Sequence, residues 1–239
     1  MDLSIIIPVY NEGNKTDKDI QLAAQFLHLS KMSGEIIISD DGSTDNTVNI
    51  LENIRNKLHI PLKIIANKDH KGKGHAVKSG ILEAQGKLVL FIDSGACVPY
   101  NDILPGIDMI SKGQCEIAHG SRFLKNSLIT RKKQWYRRLM SYAFRMFIRL
   151  WAKIPYNLTD TQCGLKIYKG EVALELYRQC ITEGFMFDVE IILRAAKAGY
   201  KIEEFPISWT ADLDSRLSVT TTFFEMLSEL VRIKKKIDY

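Results

Sequence analysis

Polar side chains able to hold a ligand follow a short apolar segment near the middle of the chain. Residues 88–92 read Leu-Val-Leu-Phe-Ile, and Asp93, Ser94 and Gly95 come directly after them. The segment is too short for an independent helix and too uniformly apolar for a half-exposed strand, so we predict a central strand of a parallel sheet. Open α/β sheets bind ligands beyond the carboxyl ends of their strands. Asp93-Ser94-Gly95 therefore predicts a ligand site, although a capped strand end explains the same residues.

Two other predicted strands, 4–9 and 35–39, end in clusters of the same kind. The clusters read Tyr10-Asn11-Glu12 and Asp40-Asp41-Gly42-Ser43-Thr44-Asp45. Adjacent carboxylates repel each other unless something binds them, which favours a ligand. The alternative is that these residues only cap the following helix, a role open to Ser43, Thr44 or Asp45. We expect the tips of the three strands to lie along one rim of the sheet.

A basic loop with two glycines follows a third predicted strand, residues 62–66. The loop reads Lys71-Gly72-Lys73-Gly74 and opens a predicted helix. Backbone amides at a helix start and lysine side chains suit a phosphate, although the spacing is not that of a Walker A loop. Acidic side chains around such a loop fit a nucleotide diphosphate. The carboxylates would bind ribose hydroxyls and a divalent cation, and the lysines and amides would bind phosphate.

The composition predicts one large globular α/β domain. The chain has 239 residues, 46% of them hydrophobic and 26% charged, with a formal net charge of +5. This charge is modest, so it does not argue for a nucleic-acid partner. The four cysteines are widely spaced, which predicts free thiols and a reducing cytoplasm. We find no signal-peptide pattern and no uncharged apolar stretch of about 18 residues, so we expect no membrane-spanning helix.

The alternation of strands and helices breaks after residue 123, and the segment that follows is basic and aromatic. If residues 135–153 form one helix, a stripe about 80° wide contains four cations: Arg138, Arg145, Arg149 and Lys153. Aliphatic and aromatic residues fill the remaining arc. Interfacial membrane helices have this pattern, with cations near lipid phosphates and rings at the headgroup boundary. A second predicted amphipathic helix, 221–239, contains three consecutive lysines. The alternative is a core helix with a solvated charged edge.

Together these motifs resemble the family 2 glycosyltransferases of the GT-A fold, and among them the dolichyl-phosphate β-glucosyltransferases. The resemblance runs from Ser4 to about Ser218, and its narrower motifs are 71–74, 120–122, 160–166, 187–190 and Trp209-Thr210. It implies an α/β fold with a Rossmann-like, mostly parallel sheet and helices on both faces, in a single domain. Residues 1–123 would bind the nucleotide sugar. Residues 124–239 would bind the acceptor and carry the membrane-facing helices.

The resemblance implies a nucleoside site at the first two strand tips. Pro8, Tyr10 and Glu12 would hold the base and ribose of a uridine nucleotide. Asp40 or Asp41 would lie beside the uracil or the ribose.

The resemblance also implies a diphosphate site, with Lys73 facing the donor phosphates. Asp93 would be the first acid of an Asp-x-Asp element that carries Mg²⁺ or Mn²⁺, with Ser94 and Gly95 lining the same donor site. The chain departs from the family here, because Gly95 stands where the second acid is expected. Three explanations compete: water fills the gap in a metal site, Lys73 and Arg122 replace the metal, or the chain binds without catalysis.

The reaction implied is an inverting transfer of a sugar, with glucose from UDP-glucose as the expected donor. A phosphate oxygen of a polyprenyl phosphate would attack the anomeric carbon from the face opposite UDP. The implied catalytic residues are Asp93, Arg122 and Asp160. Arg122 and Lys166 would lie near the donor or acceptor phosphate, and Asp160 would lie beside the acceptor. Because a phosphate acceptor is already an anion, Asp160 would position rather than deprotonate it.

The expected partners are a UDP-sugar, a polyprenyl phosphate lipid, an anionic membrane surface and a membrane protein, with no nucleic acid. The expected location is the cytoplasmic face of a membrane. Two alternatives remain within the enzyme class, another donor sugar such as mannose or GlcNAc and a saccharide acceptor. From another class, a non-catalytic module that binds a nucleotide sugar at a membrane also fits Gly95.

Overall fold

The computed structural model describes residues 1–130, 135–155, 157–210 and 219–237. Nine strands lie in this part of the chain: β1 (Leu3–Val9), β2 (Gly34–Asp40), β3 (Leu62–Ala66), β4 (Leu88–Ile92), β5 (Ile117–Ser121), β6 (Leu128–Ile129), β7 (Leu165–Lys169), β8 (Ile202–Pro206) and β9 (Ser208–Trp209). Eight α-helices lie there too: α1 (Gly13–Ser30), α2 (Thr47–Arg55), α3 (Lys73–Leu82), α4 (Leu104–Ser111), α5 (Trp135–Trp151), α6 (Gly170–Gln179), α7 (Phe187–Lys197) and α8 (Val219–Ile237). A 3₁₀ helix over Tyr100–Ile103 precedes α4.

Seven of the strands form one sheet in the order β3-β2-β1-β4-β7-β5-β8. All neighbouring pairs are parallel except those of β7, which is antiparallel to both β4 and β5. β6 and β9 pair separately as a short parallel ribbon. The sheet is therefore mostly parallel, as predicted, and β4 is its central strand.

Helices cover both faces of the sheet because the strands are apolar on both sides. In β4, Val89 and Phe91 belong to one core cluster, and Leu90 and Ile92 belong to the other. The first cluster includes residues of α3, α5, α6, α7 and α8, and the second includes residues of α1, α2 and α4. The near-continuous apolar run of β4 thus matches a strand that is buried on both faces.

The apolar spacing of residues 17–31 predicts a helix with His28 on its buried side, and the structure differs at both points. Helix α1 begins at Gly13, because the carbonyl of Glu12 accepts hydrogen bonds from the amides of Lys15 and Thr16. His28 is exposed. Asp19, which the prediction did not use, lies on the buried face of the helix.

Helix α8 packs one side onto the domain and exposes the other. Leu230, Ile233 and Ile237 are buried in the cluster that includes α7, whereas Phe224 and Val231 are exposed. This confirms an amphipathic helix for the described residues of the predicted 221–239 segment. Within the described part of the chain, every helix is too short or too polar to span a bilayer.

Candidate active site

The tips of β1, β2 and β4 lie side by side at one rim, because these strands are parallel neighbours in the sheet. Asn11, directly after β1, connects the first two tips. The side-chain oxygen of Asn11 accepts hydrogen bonds from the backbone amides of Thr44 (2.8 Å) and Asp45 (3.2 Å). The backbone amide of Asn11 donates to Ser43 Oγ (2.8 Å). Hydrogen bonds between side chain and backbone therefore join these loops, so that the rim is a connected structure.

Tyr10 contributes an aromatic surface to this rim. Its ring stacks on the ring of His70, with the centroids 3.9 Å apart and the planes 21° from parallel. Tyr10 is partly exposed. Stacked, partly exposed rings of this kind offer a face for a nucleobase. His70 opens the basic loop in the sequence, but the pattern gave no indication that it would reach Tyr10.

Asp40 and Asp41 are both buried, and their carboxylates bind the protein itself. Asp40 Oδ2 accepts hydrogen bonds from the amides of Gly42 (3.1 Å) and Ser43 (2.9 Å). Asp41 accepts from the amides of Lys71 (3.2 Å) and Gly72 (2.7 Å). These hydrogen bonds fix both carboxylates at the rim, and the expected contact of Asp40 or Asp41 with uracil or ribose stays a prediction. Backbone amides, the Ser43 hydroxyl beside Asp40 and His70 Nδ1, 2.8 Å from Asp41 Oδ2, offset the repulsion between the two carboxylates.

The glycines of the basic loop permit a close approach of two backbones. A Cβ on Gly72 would lie 2.7 Å from the carbonyl oxygen of Glu183, and one on Gly74 would lie 2.7 Å from that of Gly184. The amide of His75 donates to the Glu183 carbonyl (2.9 Å). Since the amides of Lys71, Gly72 and His75 bind protein atoms, the predicted amide cradle for phosphate is wrong for these three positions. Lys73 supplies the loop's charge to the rim.

Lys73 and Asp93 form an ion pair at the rim, with Nζ 2.6 Å from Oδ1. The pair is partly open to solvent, with 26% of the lysine side chain and 34% of the aspartate side chain exposed. Burial acts to lower the pKa of Lys73, but the charges of Asp93 and Asp188 outweigh it and raise that pKa above its ordinary value. Lys73 is therefore a permanent cation that a diphosphate can reach.

Gly164 lies directly against the Asp93 carboxylate. The loop before β7 passes so close to the tip of β4 that the amide of Asp93 donates to the Gly164 carbonyl (2.8 Å). A Cβ on Gly164 would overlap the carboxyl group of Asp93. The glycine in the segment Gln162-Cys163-Gly164 therefore makes room for this carboxylate.

We expect Gly164→Ala to rotate the Asp93 carboxylate away from Lys73 and to lower the rate of the reaction that the family resemblance implies at least tenfold, because positioning errors of about 1 Å can cost 10²-fold. Turnover and thermal melting should be measured together. Gly113→Ala is a weaker comparison, since a Cβ there meets nothing within 4 Å but its φ of +68° strains any L side chain. Activity equal to the wild type in Gly164→Ala would contradict the assigned contact.

Asp19 holds the loop that follows Asp93. Its two carboxylate oxygens accept hydrogen bonds from the amides of Gly95 (2.8 Å) and Ala96 (2.9 Å). Gly95 has a φ of +86°, a left-handed conformation that disfavours an aspartate side chain. The structure thus gives a backbone role to Gly95, the position where the family pattern has its second acid. Burial raises the pKa of Asp19 to about 6.

This raised pKa predicts a pH-dependent contribution to stability. Since the folded pKa lies above the ordinary 3.8, the contribution of Asp19 is full below about pH 4 and is lost as pH rises through about 6. Between pH 4.5 and 7 the wild type should lose about 2 kcal/mol of unfolding free energy relative to Asp19→Asn. Urea unfolding of both proteins at these two pH values measures the difference. A constant difference would contradict the assignment.

Arg122 and Asp160 form a second ion pair beside the rim. Arg122 donates from Nε to Asp160 Oδ2 (2.7 Å) and from a terminal nitrogen to Oδ1 (2.8 Å), and its amide also donates to Oδ2 (3.1 Å). Burial acts to raise the pKa of Asp160, but the hydrogen bonds and charge of Arg122 outweigh it and lower that pKa. Asp160 is fully buried, so it orients Arg122 and does not itself reach an acceptor.

Lys166 lies beneath the rim and is enclosed by protein. Its Nζ is 2.6 Å from the Cys163 carbonyl oxygen and 2.7 Å from Asp188 Oδ1, and its side chain has no exposed surface. The expected contact with a substrate phosphate does not fit this position. Asp188, part of the motif 187–190, is the buried counter-ion of Lys166. The neighbouring His119 is also buried, and burial together with the Lys166 charge lowers its pKa well below the ordinary value.

The remaining predicted residues differ in their access to the rim. Pro8 is buried within β1, one residue before the strand ends, and its expected contact with the base stays a prediction. Glu12, Ser94 and Gly95 are partly exposed beside Tyr10 and Asp93, and their expected roles in donor binding stay predictions. The structure therefore brings Tyr10, Glu12, Lys73 and the loop 93–95 to one rim, with the Arg122–Asp160 pair beside it.

The acidic groups present fit a divalent cation only weakly. Among the residues that the structure describes, no group of three or more His, Cys, Asp or Glu side chains is arranged to hold a metal ion. Asp93 is the predicted metal ligand, and Lys73 already contacts it. Mg²⁺ can bind through one carboxylate when waters and substrate phosphates supply the other ligands. Asp93 together with a donor diphosphate meets this minimum.

A mostly parallel sheet covered on both faces, with a polar rim at the carboxyl ends of its strands, defines an α/β protein of the nucleotide-binding kind. The chain matches the family model for glycosyl transferase family 2 over residues 4–176, and it belongs to that family. Dolichyl-phosphate beta-glucosyltransferases of Dictyostelium discoideum and Saccharomyces cerevisiae are each 33% identical to it. The alignments cover 97% of this chain and 73% and 74% of those proteins.

Solved structures confirm the predicted fold. Glucosyl-3-phosphoglycerate synthase from Mycobacterium tuberculosis, in complex with Mn²⁺, UDP and phosphoglyceric acid, has a TM-score of 0.72 at 15% identity, over 99% of this chain and 78% of that one. S. aureus TarS in complex with UDP has a TM-score of 0.62 at 17% identity, over 100% and 67%. The resemblance, the GT-A fold and the enzyme class predicted from the sequence are thus confirmed.

Proposed function

We propose that this chain transfers glucose from UDP-glucose to a polyprenyl phosphate of the dolichyl type, with inversion at the anomeric carbon. The observation that carries the proposal is the rim where the Tyr10–His70 stack and the Lys73–Asp93 pair lie together. A stacking surface beside a reachable cation suits a nucleoside diphosphate. The names of the relatives support glucose as the sugar and dolichyl phosphate as the acceptor.

The reaction needs charge stabilisation more than it needs a base. A phosphate oxygen of the acceptor forms a bond to the anomeric carbon while the bond from that carbon to the UDP oxygen breaks. The electron pair of the broken bond goes to the diphosphate. Lys73, paired with Asp93, would neutralise this growing charge, and Arg122, held by Asp160, would lie near the donor or the acceptor phosphate. Asp160 stays ionised beside Arg122 and takes no proton from the acceptor.

A divalent cation would be held by Asp93 and by the donor diphosphate. It would supply further charge neutralisation to the leaving group. With one carboxylate from this chain, its affinity should be low, and Lys73 should carry a larger share of the stabilisation than in a site with two acids. This proposal combines two of the three explanations given for Gly95, a metal site completed by water and charge stabilisation by Lys73 and Arg122.

The acceptor site is proposed to open toward a membrane surface. One side of α5 exposes an apolar strip, which we define as Tyr142, Met146, Phe147 and Leu150, while Ile148 on the opposite side is buried. Arg145 lies at the edge of the strip, and its Cζ atom is 3.5 Å from the centroid of the Phe123 ring. Phe123 directly follows Arg122 in the chain. Exposed apolar side chains bordered by cations suit the headgroup boundary of an anionic membrane. Arg138, the first cation of the predicted stripe, has its side chain outside the part that the structure describes.

The proposed location is the cytoplasmic face of a membrane, reached without a spanning helix in the described residues. The four free cysteines support a reducing compartment. Three further points remain predictions from the sequence. They are a membrane-protein partner, the division of substrate binding at residue 123 and the absence of a nucleic-acid partner.

We expect Met146→Ser with Leu150→Ser to weaken binding to phosphatidylserine vesicles about tenfold, because two apolar side chains no longer enter the interface. Vesicle flotation measures this. Leu29→Ser is the matched control, since Leu29 is 68% exposed and Leu150 is 70% exposed, but Leu29 lies on α1 across the sheet. Equal flotation of the double variant and the control would refute docking through the strip.

Incubation with a panel of sugar nucleotides tests the transfer itself. The chain is incubated with UDP-glucose, UDP-GlcNAc or GDP-mannose and a short polyprenyl phosphate, and the lipid is analysed by mass spectrometry. Of the three incubations, we expect only the one with UDP-glucose to yield a lipid that carries a hexose on its phosphate. Product from GDP-mannose instead would overturn the donor. UDP-glucose binding without any product would favour the non-catalytic module.

The same assay with EDTA tests the metal. We expect a clear loss of activity that millimolar Mg²⁺ or Mn²⁺ restores, because a single carboxylate gives a weak site. Full activity in EDTA would remove the cation from the reaction and leave Lys73 and Arg122 as the stabilising charges.

A further inference from the structure

The loop between α6 and α7, residues 180–186, lies directly against the basic loop that carries Lys73; we call it the bridging loop. Its Glu183 carbonyl accepts the hydrogen bond from the His75 amide (2.9 Å). Phe187 Cβ, at the start of α7, would lie 2.9 Å from a Cβ on Gly74. With backbone so close, a shift of the bridging loop must move the start of α3, and Lys73 is the first residue of that helix.

Two carboxylates from different helices hold the bridging loop. Glu190 of α7 accepts hydrogen bonds from the amides of Ile181 (2.9 Å) and Thr182 (2.8 Å). Glu229 of α8 accepts from the amides of Gly184 (2.8 Å) and Met186 (3.1 Å). Glu190 is fixed by its own helix, which belongs to the core. Glu229 lies on α8, whose other side is exposed.

The surroundings of Glu229 indicate a specific contact rather than a chance surface pair. Burial raises the pKa of its carboxyl group. The two amide hydrogen bonds and the charge of Arg232 act to lower this pKa but do not cancel the rise. A partly buried carboxylate is costly unless hydrogen bonds satisfy it, and here both oxygens have an amide donor. Phe224 and Val231 are exposed on the same helix. One helix thus contacts the bridging loop on one side and the surroundings of the protein on another.

We infer that Glu229 is a positioning residue for the basic loop of the donor site. We infer also that α8, which exposes Phe224, Val231 and the lysines 234–236, couples an anionic lipid surface to donor binding. The chain of contacts runs from Glu229 to the bridging loop, from that loop to Gly72, Gly74 and His75, and from there to Lys73. The coupling to lipid rests on the proposed function. The positioning of the loop does not depend on it.

Glu229→Gln tests the positioning because a glutamine amide offers one acceptor oxygen where the carboxylate offers two. We expect UDP-glucose to bind about three- to tenfold more weakly, and hydrogen exchange at the amides of Gly184 and Met186 to become at least tenfold faster. Glu171→Gln is the control, since Glu171 is an exposed glutamate in the first turn of α6. Unchanged affinity and exchange in Glu229→Gln would overturn the assignment.

Gly184→Ala tests the same contact from the other side, without removing a charge. A Cβ on Gly184 would overlap the Glu229 carboxylate, which can move aside because it ends a flexible side chain. We expect the same weakening of UDP-glucose binding and faster exchange at Met186, with the fold kept. A variant that melts like the wild type and binds UDP-glucose equally well would overturn the inference.

Vesicles of phosphatidylcholine and phosphatidylserine test the coupling. We expect them to strengthen UDP-glucose binding by the wild type several-fold and to have little effect on Glu229→Gln. An equal effect on both proteins would overturn the coupling. If the wild type binds no UDP-glucose under any condition, the proposed function fails, while the exchange of Gly184 and Met186 still decides whether Glu229 holds the loop.

Discussion

Lys73→Met is expected to lower kcat/KM for sugar transfer by about 10²–10³-fold, the usual cost of removing one preorganised stabiliser of a developing negative charge. Lys73 contacts Asp93 at 2.6 Å, and its raised pKa keeps it charged at neutral pH. Methionine keeps most of the apolar stem, so the change removes charge rather than volume. Because the leaving diphosphate gains charge in the transition state, kcat should fall more than KM rises.

Lys87→Met provides the control for charge removal. Lys87 is 80% exposed and pairs loosely with Asp2 at 3.7 Å, away from the rim. Its loss should leave both kinetic parameters within about twofold, since exposed pairs contribute little. If Lys73→Met retained more than half of the wild-type kcat, Lys73 could not be the principal cation at the leaving group.

Asp160→Asn is expected to reduce the unfolding free energy by about 3 kcal/mol and transfer activity by at least 10²-fold. Asparagine keeps the shape of the side chain but leaves the Arg122 guanidinium, whose side chain is only 18% exposed, without its counter-charge, which is the costly way to break a largely buried pair. The bidentate geometry that orients Arg122 is lost at the same time. Urea denaturation and steady-state kinetics measure the two effects.

The pH dependence separates this role from simple packing. The pKa of Asp160 is lowered in the folded chain, so its contribution is present above about pH 4 and is lost as the pH falls below that value. Asp160→Asn should abolish this part of the acid sensitivity. Asp108→Asn is the control, since Asp108 forms an exposed pair with Lys112 and should change stability by less than about 0.5 kcal/mol. Equal effects of the two substitutions would contradict the assignment.

The sequence was sufficient to predict the sheet and the position of the site within it. Apolar runs such as 88–92 specify strands buried on both faces, and parallel strands place the residues that follow them at one edge. Tyr10, Lys73 and Asp93 could therefore be predicted together from local patterns alone. The antiparallel direction of β7 could not, because the direction of a strand depends on how the chain returns to the sheet.

The roles of individual acids were harder to predict, because they depend on distant backbone groups. The sequence around Asp41 does not show that the backbone amides of Lys71 and Gly72 will donate hydrogen bonds to its carboxylate. Asp160 and Lys166 were also expected at the substrate and are buried in ion pairs instead. Charged residues around an active site bind the substrate or hold the groups that do, and residue type does not separate these roles.

Asp19 could have been found, because a signal was present. It lies at helical spacing with Thr16, Ile20 and Ala23, so the period of α1 puts a carboxylate on the buried face. A buried acid needs a hydrogen-bond donor, and the loop after Asp93 offers two amides. Gly164 and Glu229 gave no such signal, because their importance depends on a close approach between segments far apart in the chain.

The position of β7 has a consequence for how the chain becomes folded during synthesis. β7 separates β4 from β5 in the sheet, yet the ribosome makes it after both of them. Until residue 169 has emerged, the nascent chain carries two open strand edges that β7 will later fill. Such edges attract other extended chains, and non-local strand pairing is slow. Binding of a chaperone to partly synthesised chains should therefore peak before β7 leaves the ribosome.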